Sequence, residues 1–189
     1  MKISCRMLTQ DELIKEISKT LAKTKVVKLT SILQKQNFNF RDLVSVTFND
    51  DTGVAFRAAW LLENLFLKKP LLFKEDISWM LAHLGEIKNP SCKRHYAKIV
   101  AHITDPKAPN DIRQKIIEIS LEPTVETLFD WLIDPKGKIA VKVFAATALF
   151  NLRHRYTWIN EELGAQLQFL MRNGSPGIQS RGKKLLEAL

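Results

Sequence analysis

Apolar residues recur along the chain at intervals of three and four, the spacing that gathers them on one side of an α-helix. The stretches QDELIKEISKTLA, KVVKLTSILQKQ, FRDLVSVTF, GVAFRAAWLLENLFL, EDISWMLAHLGEI and SCKRHYAKIVAHI follow it, as do NDIRQKIIEISL, TVETLFDWLI, KIAVKVFAATALFNL, NEELGAQLQFLM and GIQSRGKKLLEAL. The pattern predicts about eleven helices joined by short links, with breaks at Gly, Pro, Asn and Asp. Asp11 and Glu12 suit the first turn of the first helix, where the helix dipole favours negative charge. No run alternates as a strand does, and no segment is of low complexity.

Four of these segments align without gaps when they start at Val54, Cys92, Ile139 and Ile178, with spacings of 38, 47 and 39 residues. Three residues on from each start come Arg57, His95, Lys142 and Arg181. Seven on come Leu61, Ile99, Ala146 and Leu185, and eleven on come Leu65, Ile103, Phe150 and Leu189. Offsets 0, 7, 8 and 11 share one face of a helix with 3.6 residues per turn. An apolar helix precedes each aligned one: LVSVTF, ISWMLAHL, LFDWLI and LQFLM. The repeating unit is a first helix, a short turn and a second helix.

That unit resembles the HEAT repeat, an armadillo-type α-solenoid family. The resemblance rests on a pair length of about 40 residues and on turns rich in Asp, Asn and Pro. It rests also on second helices reading apolar-x-x-basic-small, as in NDDTGVAFRAAWLL, DPKGKIAVKVFAAT and NGSPGIQSRGKKLL, with KNPSCKRHYAKIV the weakest. It implies an all-α superhelix spanning 1–189 as one domain. Residues 40–189 would form about four pairs, 1–39 a degenerate pair of capping helices, and 109–120 an inserted helix that explains the longest spacing.

Composition agrees with a globular helical chain, since 46% of the 189 residues are hydrophobic and 26% charged, with seven Gly and seven Pro. The 29 basic against 20 acidic residues give a formal net charge of +9, which attracts nucleic acid, anionic membranes or acidic proteins. The charges are interspersed, so no basic tail is expected. Cys5 and Cys92 are too few for a disulfide framework, which points to reduced thiols. The first residues lack the apolar core of a secretory signal, and no apolar run reaches membrane-spanning length. A cytoplasmic location without membrane contact is the resulting expectation.

The basic row Arg57, His95, Lys142 and Arg181 has two readings. Stacked repeats align it into a ladder, and the family pattern pairs each member with a turn residue such as Asp50, Asp51, Asn89, Asp134 or Asn173. The other reading is a track for an anionic partner. Offsets 2, 6 and 9 point away from the aligned apolar stripe. They place Phe56, Trp60 and Glu63, then Arg94, Lys98 and Ala101, then Val141, Ala145 and Ala148, then Ser180, Lys184 and Glu187 on a groove lined by second helices. Phe56, Trp60, Arg94, Lys98, Val141 and Lys184 are therefore the expected partner-facing residues, with apolar anchors for affinity and cations for orientation.

Residues 177–184, GIQSRGKK, nearly match a phosphate-binding loop, but Lys184 stands where Ser or Thr belongs and no strand precedes it. His95 and His102 share a helix face without a third ligand, so no metal or cofactor is expected. HEAT-like glycosylases for alkylated DNA bases carry Trp, Asp and Arg on a concave surface. Asp130, Trp131, Asp134, Arg153, His154, Arg155, Tyr156 and Trp158 supply those types here. The expected function is a non-catalytic scaffold binding a protein or peptide, and the alternative is nucleic-acid binding, with or without base excision.

Overall fold

A computed structural model describes residues 7–19, 28–31, 33 and 38–189. Among these, ten α-helices are bounded: α1 Gln10–Ser18, α2 Phe40–Val46, α3 Thr52–Lys68, α4 Ile77–Ala82 and α5 Pro90–Ile103, followed by α6 Asn110–Glu118, α7 Glu122–Ile133, α8 Ile139–Leu152, α9 Ile159–Met171 and α10 Pro176–Leu186. Residues 28–31 and Leu33 are also helical, while most of the helix expected over 25–36 lies outside the described residues. An isolated bridge between Leu8 and Phe38 is the single strand-like pairing among the described residues. None of the described helices is long and apolar enough to cross a membrane.

Short polar side chains start four of the helices. Thr9 and Glu12 form a reciprocal capping box on α1. Asn39, Asp51 and Asn89 accept backbone N–H bonds at the starts of α2, α3 and α5. Pro90, Pro123 and Pro176 occupy first-turn positions, where a missing N–H costs nothing.

One expected helix is broken. The stretch EDISWMLAHLGEI becomes the end of a 3₁₀ turn over Pro70–Asp76, then α4, then a second 3₁₀ turn over Leu84–Glu86. His83 ends α4, because its Nδ1–H donates to Trp79 O at 2.8 Å while its backbone N–H bonds Met80 O at 3.3 Å. Both bonds pull the chain into the tighter 3₁₀ winding.

The second helices α3, α5, α8 and α10 pack on one another in succession. The first helices touch each other more sparsely; the tightly stacked second helices are called the inner layer below and the first helices the outer one. Helix α6 packs on the Pro70–Asp76 turn and on α5. Helix α8 is central, gripped by α5, α7, α9 and α10. One apolar core runs from Leu13 to Leu185 through all the layers. The chain is thus an all-α helical-repeat solenoid.

Candidate functional site

Helix α3 carries Phe56, Trp60 and Glu63 on one face, spaced four and three residues apart. That face meets α5, the next second helix. The His95 ring lies 5.3 Å from the Phe56 ring and 6.4 Å from the Trp60 ring, in the latter case nearly parallel at 17°. Phe56 and Trp60 themselves are 5.8 Å apart. The two rings are partly buried, and the His95 ring packs against both.

Beneath the rings is a buried ionic cluster. His95 Nδ1 and Glu63 Oε2 are 2.6 Å apart, and Lys98 Nζ reaches Glu63 Oε1 at the same distance. Burial alone would raise the Glu63 carboxyl, but the bonds and charges of His95 and Lys98 outweigh it and hold it below 4.5, its ordinary value. An ionised carboxylate only accepts, so His95 Nδ1 is the donor. Nε2 is buried with no hydrogen-bond partner. His95 is 1% exposed and Glu63 7%, whereas the Lys98 side chain keeps 33% and reaches solvent. His95 therefore acts as a fixed spacer: Glu63 sets its ring angle, and its face braces Phe56 and Trp60.

The remaining basic row is not a continuous ladder of turn pairs. Arg57 is partly buried, and its Nε donates to Ile17 O at 3.2 Å. Bonds from Val54 and Gly53 N–H hold the Asp51 carboxylate below its usual range, with a smaller contribution from the Arg57 charge. His95 pairs with Glu63, while Asn89 instead caps α5 through Ser91 N–H at 2.9 Å. Lys142 is buried beside Gly137, and neither it nor the partly buried Arg181 makes an ion pair among the described residues.

Arg94 and Lys184 are exposed on the second-helix layer. Val141 is not: it is 2% exposed, and Ala145 and Ala148 are fully buried. This corrects the expectation that α8 turns these three toward a partner, because four neighbouring helices enclose α8. Glu63, read from the sequence as pointing away from the core, is likewise buried. A carboxylate in an apolar run, opposite a His and a Lys one helical turn apart in the next repeat, was the signal for it.

Of the residues that base excision would call on, Asp130 and Trp158 line one cleft together, while Trp131, Arg153, Arg155 and Tyr156 are engaged in packing and backbone bonds. Trp131 is 4% exposed and packs beneath Lys93 Nζ at 5.7 Å. Arg153 donates to Phe150 O at 2.9 Å. Arg155 donates to Ile116 O at 2.5 Å and Ile119 O at 2.6 Å, and Tyr156 Oη accepts from Leu121 N–H at 3.2 Å. These residues tie loops to helix ends. The GIQSRGKK stretch is helical within α10, where Gly182 lies against Met171. Cys92 is fully buried, and burial pushes its thiol up to about 12. No cluster of three or more His, Cys, Asp or Glu side chains able to hold a metal occurs among the described residues.

A cleft of about 720 Å³ lies apart from the ring cluster, between the turns at Thr47–Thr52 and Glu86–Pro90, where Asn89 Nδ2 donates to Thr52 O at 3.3 Å. Its walls are turn residues, with no buried polar group left unpaired there.

No curated protein and no solved structure matches the chain. A family model described as a HEAT repeat domain matches residues 13–189. With paired helices, stacked second helices and a match over nearly the full length, the chain belongs to the HEAT repeat family.

Proposed function

We propose that the chain is a non-catalytic binding module that takes a peptide segment of a protein partner on its second-helix layer. One observation carries the reading: Phe56 and Trp60 keep part of their surface open while the His95 ring, itself held by the Glu63–Lys98 cluster, packs against both. Rigid aromatic side chains give up little entropy on binding and make good anchors. The exposed Arg94 and the solvent-reaching Lys98 stand on the adjoining helix, so the fitting peptide combines an apolar anchor with acidic residues. Lys184 adds to the positive charge of the same layer. The occluded Val141 plays no part.

The test is selection of a random-peptide library on the folded protein, with titration of the enriched sequences. Peptides with acidic and apolar residues are expected, binding at least tenfold more weakly to Phe56→Ser and several-fold more weakly to Arg94→Glu. Thermal melts check that both variants fold. Binding indifferent to both substitutions overturns the proposal. Retardation of DNA or RNA at low salt that collapses steeply between about 50 and 200 mM salt would assign the layer to nucleic acid instead.

A further inference from the structure

A second surface of different chemistry lies on the outer side, in the seam between α7 and α9. Both helices pack on α8 and have little contact with each other. Phe129 and Ile133 of α7 and Trp158 at the start of α9 line a cleft of about 290 Å³. Trp158 is 52% exposed and Ile133 49%, more than a side chain serving the core would be. The Phe129 and Trp158 rings stack at 5.5 Å with planes 25° apart. The partly buried Phe129 ring backs the indole, and Trp158 keeps half of its surface open to the cleft.

The rim is acidic. Glu126 and Asp130 follow the α7 face, Glu162 follows the α9 face, and no basic residue among the described ones lines the cleft. All three carboxylates are exposed. None forms an ion pair among the described residues, and Glu162 merely accepts a bond from Gln166 Nε2 at 2.9 Å. A chain with formal charge +9 therefore places three unneutralised negative charges around its most exposed tryptophan. Two stacked rings with free carboxylates at their edge complement one kind of group, a planar cation. A guanidinium stacks flat on an indole and sends its N–H groups sideways to carboxylates, and its weak hydration lowers the cost of leaving water. A round trimethylammonium needs aromatic walls on several sides, which are absent here. A lysine ammonium is a compact, strongly hydrated point charge with no flat face to lay on the indole.

We infer that this seam binds an arginine side chain of a basic peptide segment in a partner protein. It is independent of the inner-layer reading: the surface is on the opposite layer and has the opposite charge.

The probe is the capped pentapeptide Gly-Arg-Gly-Arg-Gly, compared with its lysine, trimethyl-lysine and citrulline counterparts. Binding is followed by the indole N–H resonance of Trp158 in the full chain, assigned with Trp158→Phe. Expected is saturable movement of that resonance by the arginine peptide, with lysine and trimethyl-lysine several-fold weaker. Citrulline, which keeps the shape and loses the charge, binds at least tenfold more weakly. Trp158→Ala abolishes binding, and the pair Asp130→Asn with Glu162→Gln weakens it by about three- to tenfold, as loss of partly exposed charge contacts predicts. All three side chains are exposed, and thermal melting verifies the fold of the variants. Equal binding of arginine and citrulline overturns the inference, as does arginine binding that survives Trp158→Ala. Sedimentation showing a dimer dispersed by Trp158→Ala also overturns it, because the seam's occupant is then a second copy of this chain.

Discussion

Glu63→Ala tests whether the buried cluster holds the aromatic pair in place. The substitution removes two charge-assisted bonds of 2.6 Å. His95 is 1% exposed, so its Nδ1–H is left buried without an acceptor, beside an Nε2 that already lacks a partner. Stranding such a donor costs about 1–3 kcal/mol. Lys98 reaches water, so its lost contact contributes at most about 1 kcal/mol. The expected destabilisation is about 3 kcal/mol, or a fall in Tm of about 6–12 °C for a chain of this length. Lys98→Ala should cost no more than about 1 kcal/mol. The cycle with His95→Ala should show a coupling of about 1–2 kcal/mol, because Glu63 loses its main partner once the ring is gone. The pH dependence gives a second readout. The folded-state value of Glu63 lies below its ordinary 4.5, so its stabilisation is complete above about pH 4.5 and is lost as pH falls through the folded value. Glu63→Gln should flatten the acid limb of stability in that window. Thermal and urea melts from pH 3 to 7 measure both effects. A cost under about 1 kcal/mol for Glu63→Ala, an additive double mutant, or an unchanged acid limb in Glu63→Gln would refute the reasoning.

Two further outcomes follow from local geometry. With its thiol pushed up to about 12 by burial, Cys92 should resist iodoacetamide at pH 8 in the native protein and react on unfolding, as peptide mapping would reveal. Arg155 closes the end of α6 through the carbonyls of Ile116 and Ile119. Arg155→Ala should cost about 1–2 kcal/mol, with amide exchange rising over residues 110–119 before the rest of the molecule; uniform exchange across the chain would contradict that role.

Periodicity made the helices legible, because each must bury a stripe at 3.6-residue spacing to be stable at all. It made the repeat legible too, since the aligned basic and apolar offsets survive from Val54 to Leu189. What it left open was which outward residues stay outward. α4 is shorter than its apolar spacing predicts because its end depends on a single side chain, His83, bonding back to Trp79, and apolar spacing carries no trace of that bond. Val141, Ala145 and Ala148 depart from expectation for a different reason. KIAVKVFAATALFNL is apolar on every side, so no face is distinguished, and four neighbours then decide the matter.

The same argument separates the two proposed surfaces. On α3 the outward stripe holds two rings and a carboxylate, and the following repeat supplies partners for all three: the His95 ring for Phe56 and Trp60, and His95 with Lys98 for Glu63. Repeat-to-repeat packing therefore satisfies most of that face and leaves an edge for an external peptide. On α7 and α9 the outward stripes hold Phe129, Trp158 and three carboxylates, and among the described residues packing supplies no cation to any of them. Where second helices crowd together, chemistry is consumed internally; where first helices splay apart, it stays available. The outer seam should therefore tolerate Trp158→Ala with little loss of stability while losing its ligand. His95→Ala on the inner layer should lower stability and binding together. Melting and titration of that pair of variants separate a surface kept open by splayed helices from one closed by the fold.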